Sequence, residues 1–129
     1  MKYLLSTIAL STMLASTPIQ AQDAFSIMVL QKEMVEKTNQ QFFIQYFVTN
    51  NENATAEQMT YVPPINTSIY YNTCSTSIAP KEQCTIILST TAPSNPVTYQ
   101  LGALGICAFF GSVCQVASLE ERPIIRVLE

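Results

Sequence analysis

Residues 42–49 read FFIQYFVT, and this stretch decides the fold. In an extended chain, every second side chain lies on the same face. One face of the stretch is then wholly apolar, formed by Phe42, Ile44, Tyr46 and Val48. The four residues that follow, NNEN, end the segment because their side chains compete for backbone hydrogen bonds. The pattern predicts a central β-strand with one buried face.

Short β-rich segments occur on both sides of this strand, separated by breaks rich in proline, asparagine and serine. They cover residues 25–30, 58–62, 65–71, 84–88, 97–101 and 124–128, and residues 106–116 are expected to form a hairpin. The polar residues 32–41 are expected to turn the chain, and the alternative is that residues 32–37 extend the preceding strand or form a helical turn. Residues 74–82 are expected to connect two strands. The spacing predicts an all-β, antiparallel β-sandwich, with a partly closed barrel as the alternative.

The N-terminal residues have the composition of a secretory signal peptide. Lys2 is the basic start, residues 3–15 are the apolar run, and Ala21 is the small residue that closes the segment. A membrane anchor is the alternative, but serine and threonine interrupt the run, and it is shorter than the roughly 20 residues of a spanning helix. We therefore predict a signal peptide at residues 1–21, a single domain at residues 22–129, no membrane span, and a secreted or periplasmic mature protein.

Four cysteines in an exported chain favour two disulfides over a metal site. They are Cys74, Cys84, Cys107 and Cys114, which can pair in three ways. We favour Cys74–Cys84 with Cys107–Cys114, because each pair flanks a turn-rich or hairpin-like segment. Zinc is disfavoured, since the chain has no histidine and the cysteine spacings do not match the short ligand pairs of structural zinc sites. The sequence thus predicts a disulfide-stapled domain without a metal.

Residues 72–88, NTCSTSIAPKEQCTIIL, resemble a pattern found in bacterial immunoglobulin-like domains of the ASH and major-sperm-protein type. A cysteine, a short link with an apolar residue, a proline-containing turn and a second cysteine lead into an alternating strand. Lys81 stands where the turn usually has glycine, and the second cysteine pair lies outside the pattern. The resemblance implies an immunoglobulin-like sandwich of about seven to eight strands. It also implies a role in interaction or assembly, and it carries over no catalytic residues.

The sequence contains no recognisable catalytic arrangement. Because there is no histidine, a Ser-His-Asp or Cys-His site in its usual form is excluded. The neighbouring carboxylates Glu33/Glu36 and Glu120/Glu121 lie in polar stretches and are interpreted as solvated surface charge. No glycine pattern for binding phosphate or a dinucleotide occurs. We predict no catalytic residues, no cofactor and no enzymatic activity.

Charge limits the partners of the mature protein. The full chain has a formal net charge of −3, and removal of Lys2 with the signal makes it −4. Nucleic acids and anionic membranes select for basic patches, so neither is expected as a partner.

The most informative local feature is residues 107–114, CAFFGSVC, where a short loop between two cysteines encloses Phe109 and Phe110. Neighbouring residues of a strand point to opposite faces, so both rings enter one core only if the loop bends. One interpretation is a preorganised apolar contact for a partner. The alternative is that one ring packs in the core and the other under a neighbouring loop.

Three tyrosines form a second candidate binding surface: Tyr61, Tyr70 and Tyr71. Tyrosines on a sheet face or rim serve both glycan stacking and protein contacts, although half-buried sheet positions are the alternative.

These observations predict a non-enzymatic interaction module that binds a protein partner, from the cell envelope or from a host. Strand addition at an exposed edge is the expected binding mode. The alternative is a secreted glycan or small-molecule binder, or an inhibitor of an extracellular enzyme that uses the loop between Cys107 and Cys114. A concave pocket lined by the tyrosines would favour the glycan binder, and a protruding rigid loop would favour the inhibitor. A small hydrolase would require convergent carboxylates.

Overall fold

The structure, a computed structural model, describes residues 23–129. The predicted signal peptide at residues 1–21 lies outside the described residues. Within residues 23–129 there are twelve strands and one short 3-10 helix, Leu119–Glu121. The strands are β1 (Phe25–Val29), β2 (Glu33–Lys37), β3 (Gln41–Asn50), β4 (Ala56–Glu57), β5 (Thr60–Val62), β6 (Ser68–Asn72), β7 (Ser77–Ile78), β8 (Gln83–Thr91), β9 (Val97–Gln100), β10 (Gly105–Ala108), β11 (Val113–Val116) and β12 (Ile124–Leu128). No helix in this part of the chain is long and apolar enough to cross a membrane.

The first layer is a four-stranded antiparallel sheet in the order β1-β3-β8-β6. β3 and β8 lie at its centre and are the two longest strands of the described residues. The apolar face predicted for residues 42–49 is buried, and in β8 Ile86 and Leu88 continue the same buried face. The prediction of a central strand with one buried face is confirmed.

The second layer consists of a β2-β12-β9 sheet and a β11-β10-β5 sheet, and β4 and β7 form a short ladder of their own. Ile125 and Val127 of β12 and Ile106 of β10 join one hydrophobic core with the buried face of the first sheet. Burial of these apolar side chains is the main favourable term for the fold. The predicted fold class, an all-β sandwich with two disulfides, is confirmed.

Some details differ from the expectation. The described chain has twelve strands instead of the seven to eight expected, because it includes the short ladder of β4 and β7, the edge strand β2, and a hairpin that counts as two strands, β10 and β11. β2 pairs with β12 in parallel, whereas the other ladders are antiparallel. Residues 65–67 form a turn instead of the start of a strand. In this turn Asn66 adopts a φ of 65°, and the Thr67 N–H donates to the Pro64 carbonyl at 3.2 Å.

Asn50, the last residue of β3, is fully buried and organises the end of the sandwich. Its Nδ2 donates to the carbonyls of Ala54 and Ile78, each at 2.9 Å, and its Oδ1 accepts the Glu52 N–H at 3.0 Å. A buried amide is tolerated only when its donors and acceptor are satisfied. The side chain thereby holds the segment between Cys74 and Cys84 against the end of β3.

Candidate functional site

Both favoured cysteine pairs are present as disulfides. Cys107 and Cys114 lie directly opposite each other in the β10-β11 hairpin, with 4.1 Å between their Cα atoms. Cys74 and Cys84 are joined with a Cα–Cα distance of 5.0 Å. The Cys107–Cys114 bridge therefore closes the base of the loop that carries Phe109 and Phe110.

The loop between β10 and β11 turns through three consecutive left-handed residues. The φ angles are 54° at Phe109, 56° at Phe110 and 88° at Gly111. A left-handed conformation costs a residue with a side chain about 1–2 kcal/mol, and glycine escapes this cost because it has no Cβ. The strand alternation assumed from sequence does not apply here, since the chain bends at both phenylalanines.

Backbone hydrogen bonds hold the bend in place. The Phe109 N–H donates to the Glu57 carbonyl at 2.6 Å, and the Phe110 N–H donates to the Gln58 carbonyl at 3.4 Å. Inside the loop, the Ser112 N–H donates to the Phe109 carbonyl at 3.2 Å. The disulfide and the residues at the end of β4 thus fix the loop from two sides.

Neither phenylalanine is buried. The Phe110 side chain is 84% exposed and Phe109 is 42% exposed. Phe110 lines a shallow groove with Glu57, and Phe109 lines another with Glu52. Among the described residues that line these two grooves, these glutamates are the charged ones. The loop therefore presents an apolar knob with acidic flanks, which we call the phenylalanine knob (Phe109 and Phe110).

Tyr61 has a structural role. It lies in β5 and its hydroxyl donates to the Ser75 carbonyl at 2.7 Å, which ties β5 to the residue after Cys74. Burial raises the pKa of Tyr61 to about 12. Of the three tyrosines singled out from sequence, this one is already engaged within the domain.

Tyr70 and Tyr71 lie on the outer face of the four-stranded sheet, and a β-bulge puts them there. The register of β6 against β8 shifts between Ile69 and Tyr71, so Tyr70 is the extra residue. In a regular strand, one of the two tyrosine side chains would point into the core. Here Tyr70 is 65% exposed and Tyr71 is 53% exposed. The Tyr70 ring packs on Phe43 of β3, with 4.8 Å between ring centroids at a tilt of 53°.

The sequence pattern places Phe43 on the face of β3 that points away from the core. It does not predict that the Tyr70 ring packs on Phe43. Register puts Ser89 of β8 between Phe43 and β6, since Ser89 is paired with both Phe43 and Ser68. The small serine leaves room for the Tyr70 ring to reach across β8. Sequence alone gives neither this register nor the bulge, and the exposed aromatic cluster is therefore a product of the tertiary structure.

The whole outer face around this cluster is uncharged. The four strands β1, β3, β6 and β8 contain no Asp, Glu, Lys or Arg. Their outward positions combine apolar side chains with neutral polar ones. The apolar ones are Met28, Phe43, Phe47, Ile87, Tyr70 and Tyr71, and the polar ones include Gln41, Gln45, Thr49, Gln83, Thr85 and Ser89. We call this surface the uncharged face.

The two candidate surfaces are separate. Phe43 lies near the start of β3, whereas the groove beside Phe109 includes Asn50 at the end of the same strand. Seven residues of extended chain span roughly 23 Å. The phenylalanine knob and the aromatic cluster of the uncharged face are therefore independent sites.

The edges of the four-stranded sheet do not favour the expected strand addition. On β1, the Val29 N–H donates to Oε1 of Glu121 at 2.9 Å and the Phe25 N–H donates to Oε1 of Gln115 at 3.5 Å. Burial acts to raise the pKa of Glu121, but the hydrogen bonds from Lys32 and Val29 and the charge of Lys32 hold it below its ordinary value. At the other edge, the bulge of β6 disturbs the row of backbone groups that an added strand needs.

Neither surface carries a metal-binding cluster within the described residues. Residues 23–129 contain no group of three or more His, Cys, Asp or Glu side chains that could hold a metal ion. Of the carboxylates considered from sequence, Glu121 is engaged by Lys32 Nζ at 2.8 Å. The chemistry that both surfaces offer is binding through aromatic rings.

Comparisons with known proteins show a likeness to solved structures and no family. No protein-family model matches the chain, and no curated protein matches it significantly. Fourteen chains of solved structures match, among them a non-cellulosomal cohesin from the hyperthermophilic archaeon Archaeoglobus fulgidus, with a TM-score of 0.41 and 9% sequence identity over 81% of this chain and 91% of that chain. The ASH or major-sperm-protein type receives no support from these comparisons.

Proposed function

We propose that this protein is a non-enzymatic interaction module that docks the phenylalanine knob into a protein partner of the cell envelope or of a host. One observation carries the proposal. A large apolar ring, Phe110, stands in solvent at the tip of a loop that a disulfide closes at its base. A large aromatic side chain that becomes buried on binding contributes strongly to the energetics of an interface.

The conformation of the knob supports a role in binding. Phe109 and Phe110 each adopt a left-handed conformation that glycine would adopt at lower cost. Because Phe110 contributes little to the core, stability does not account for its presence there. Backbone strain held in place by surrounding structure is common at functional sites. The bridge and the hydrogen bonds to Glu57 and Gln58 order the loop before the partner arrives, which lowers the entropic cost of binding.

The surroundings of the knob indicate the chemistry of the partner. Glu57 lies beside Phe110 and Glu52 beside Phe109. A partner pocket that receives the ring would therefore be apolar at its base and basic at its rim. Such complementarity speeds association and makes the association rate sensitive to salt.

The N-terminal segment and the cysteines support a compartment outside the cytoplasm. We propose that residues 1–21 are removed as a signal peptide and that residues 22–129 act as the mature, single-domain protein in the periplasm or outside the cell. Two disulfides agree with an oxidising compartment. A relation to ASH or major-sperm-protein domains stays a prediction from residues 72–88.

The test is site-specific photocrosslinking followed by a binding measurement. A benzophenone amino acid replaces Phe110 in cells that make the protein, and crosslinked proteins are identified by mass spectrometry. Each captured protein is then purified and titrated by calorimetry with the wild type, Phe110→Ala and Ile65→Ala. Ile65 is the matched control because it is 85% exposed on a different loop. We expect Phe110→Ala to weaken binding by roughly 30-fold, as at an interface hot spot, and Ile65→Ala to leave it within about threefold.

The same benzophenone protein, purified, is also added to host extracts. Equal affinities of wild type and Phe110→Ala, or the absence of any crosslinked protein in envelope, medium and host extracts, would overturn the proposal. If the captured protein is an extracellular enzyme, its activity is measured with and without saturating module. Inhibition that Phe110→Ala relieves would identify the module as an inhibitor, the function that a protruding rigid loop favours.

A further inference from the structure

The outer faces of the two layers differ in charge. On the β2-β12-β9 sheet, Glu33, Lys37 and Arg126 occupy outward, exposed positions. The uncharged face has none of these residue types on its four strands. Charged side chains are the ordinary way to keep a solvated sheet face soluble. A face of this size without charge indicates a ligand that offers no charge to pair with.

The uncharged face offers two kinds of contact. Phe43, Tyr70 and Tyr71 expose aromatic rings, and Tyr70 and Phe43 already pack together at 4.8 Å. In the register of the sheet, Gln45 lies across from Ile87, which in turn lies across from Tyr71. Phe43 lies across from Ser89. Amide and hydroxyl groups, which both donate and accept hydrogen bonds, therefore alternate with the rings.

This combination matches the surface of a sugar ring. A pyranose has an apolar face of C–H groups that packs on an aromatic ring, and a rim of hydroxyls that needs neutral donors and acceptors. A protein docking site would instead concentrate apolar area at its centre, whereas glutamine, serine and threonine interrupt the rings here. Acidic or basic polysaccharides would require opposite charges, which the four strands lack.

The shape of the site indicates a polymer. The rings lie on an open sheet face, and small molecules usually bind in concave pockets that bury most of their surface. A chain of sugars that contacts several rings at once gains affinity from repeated weak contacts. We infer that the uncharged face is a second binding site, for a neutral polysaccharide chain, and that it acts independently of the phenylalanine knob.

The test measures retention of the mature, disulfide-bonded protein on insoluble neutral polysaccharides: cellulose, curdlan, mannan and starch. Alginate and chitosan serve as charged comparators. We expect saturable binding to at least one neutral polymer, with an affinity that 1 M salt changes by less than about twofold, since no charge pair is involved. Tyr70→Ala/Tyr71→Ala should lower the affinity at least tenfold, and Tyr70→Phe/Tyr71→Phe should retain most of it because the rings remain. Circular dichroism checks that each variant is folded.

Val35→Ala is the matched control, because Val35 is an exposed apolar residue on the outer face of the other layer. Phe110→Ala should bind the polymer as the wild type does, which separates this inference from the proposed protein docking. Retention on none of the neutral polymers, equal retention of the double alanine variant, or retention that salt abolishes would each overturn the inference. Self-association of the wild type that Tyr70→Ala/Tyr71→Ala abolishes would also overturn it, and would assign the face to a second copy of the chain.

Discussion

The Cys74–Cys84 and Cys107–Cys114 disulfides close segments of similar length, with sequence separations of ten and seven, yet their surroundings contrast. Cys74 is 1% exposed and belongs to the hydrophobic core, together with Ile78 from the segment that the bridge closes. Cys114 is exposed, and its bridge encloses the phenylalanine knob. Similar covalent chemistry thus supports the core in one region and a solvent-exposed loop in the other.

The two segments also differ in what else holds them. Asn50 donates to the Ile78 carbonyl, and Tyr61 donates to the Ser75 carbonyl, so polar side chains fix the first segment from the inside. The second segment is held by its bridge and by backbone contacts to Glu57 and Gln58. The difference indicates that the first bridge mainly stabilises the sandwich, whereas the second mainly fixes the conformation of a binding loop.

The largest expected effect is on stability, at the first bridge. Cys74→Ala/Cys84→Ala should lower the free energy of unfolding by about 4 kcal/mol, from lost loop-closure entropy plus poorer packing around position 74. Guanidinium unfolding of the oxidised wild type and the variant, followed by circular dichroism, measures the difference. If this variant loses no more stability than the variant without Cys107–Cys114, the proposed difference between the two bridges is wrong.

Removal of the second bridge, Cys107–Cys114, should affect partner binding more than stability. Cys107→Ala/Cys114→Ala is expected to cost about 2 kcal/mol of stability, because loop-closure entropy is lost while little buried packing changes. Affinity for the protein partner should fall at least tenfold, since the partner then has to order the loop. Polysaccharide retention should not change, because the uncharged face is distant. Unchanged partner affinity in calorimetry would show that the bridge does not preorganise the knob.

Sequence predicted the regular part of this fold well. Periodicity located β3 and its buried face, cysteine spacing favoured both bridges, and residues 124–128 were predicted as the strand that β12 forms. These features depend on local alternation and on short loops. β2 was expected to lie in a polar turn, because an edge strand that faces solvent carries charges and loses the apolar pattern.

The candidate sites were only partly predictable, because each depends on a departure from local regularity. The bulge that places Tyr70 and Tyr71 on one face arises from pairing with β8 and has no signal in residues 65–71. The left-handed run at Phe109 and Phe110 depends on the bridge and on carbonyls of a distant segment. Lys81 likewise adopts a φ of 63° in a turn where the resembling domains usually have glycine.

The variant with the smallest expected change in stability, Phe110→Gly, tests most directly whether Phe110 serves binding. Phe110→Gly removes the ring and the left-handed strain together, and it adds entropy to the unfolded chain. Because these two backbone effects oppose each other, the free energy of unfolding should change by no more than about 1 kcal/mol. Partner affinity should nevertheless fall as far as in Phe110→Ala, measured by the same calorimetric titration. A variant that unfolds much more easily would mean that the ring supports the fold, whereas unchanged stability with lost binding means that Phe110 is kept for a partner.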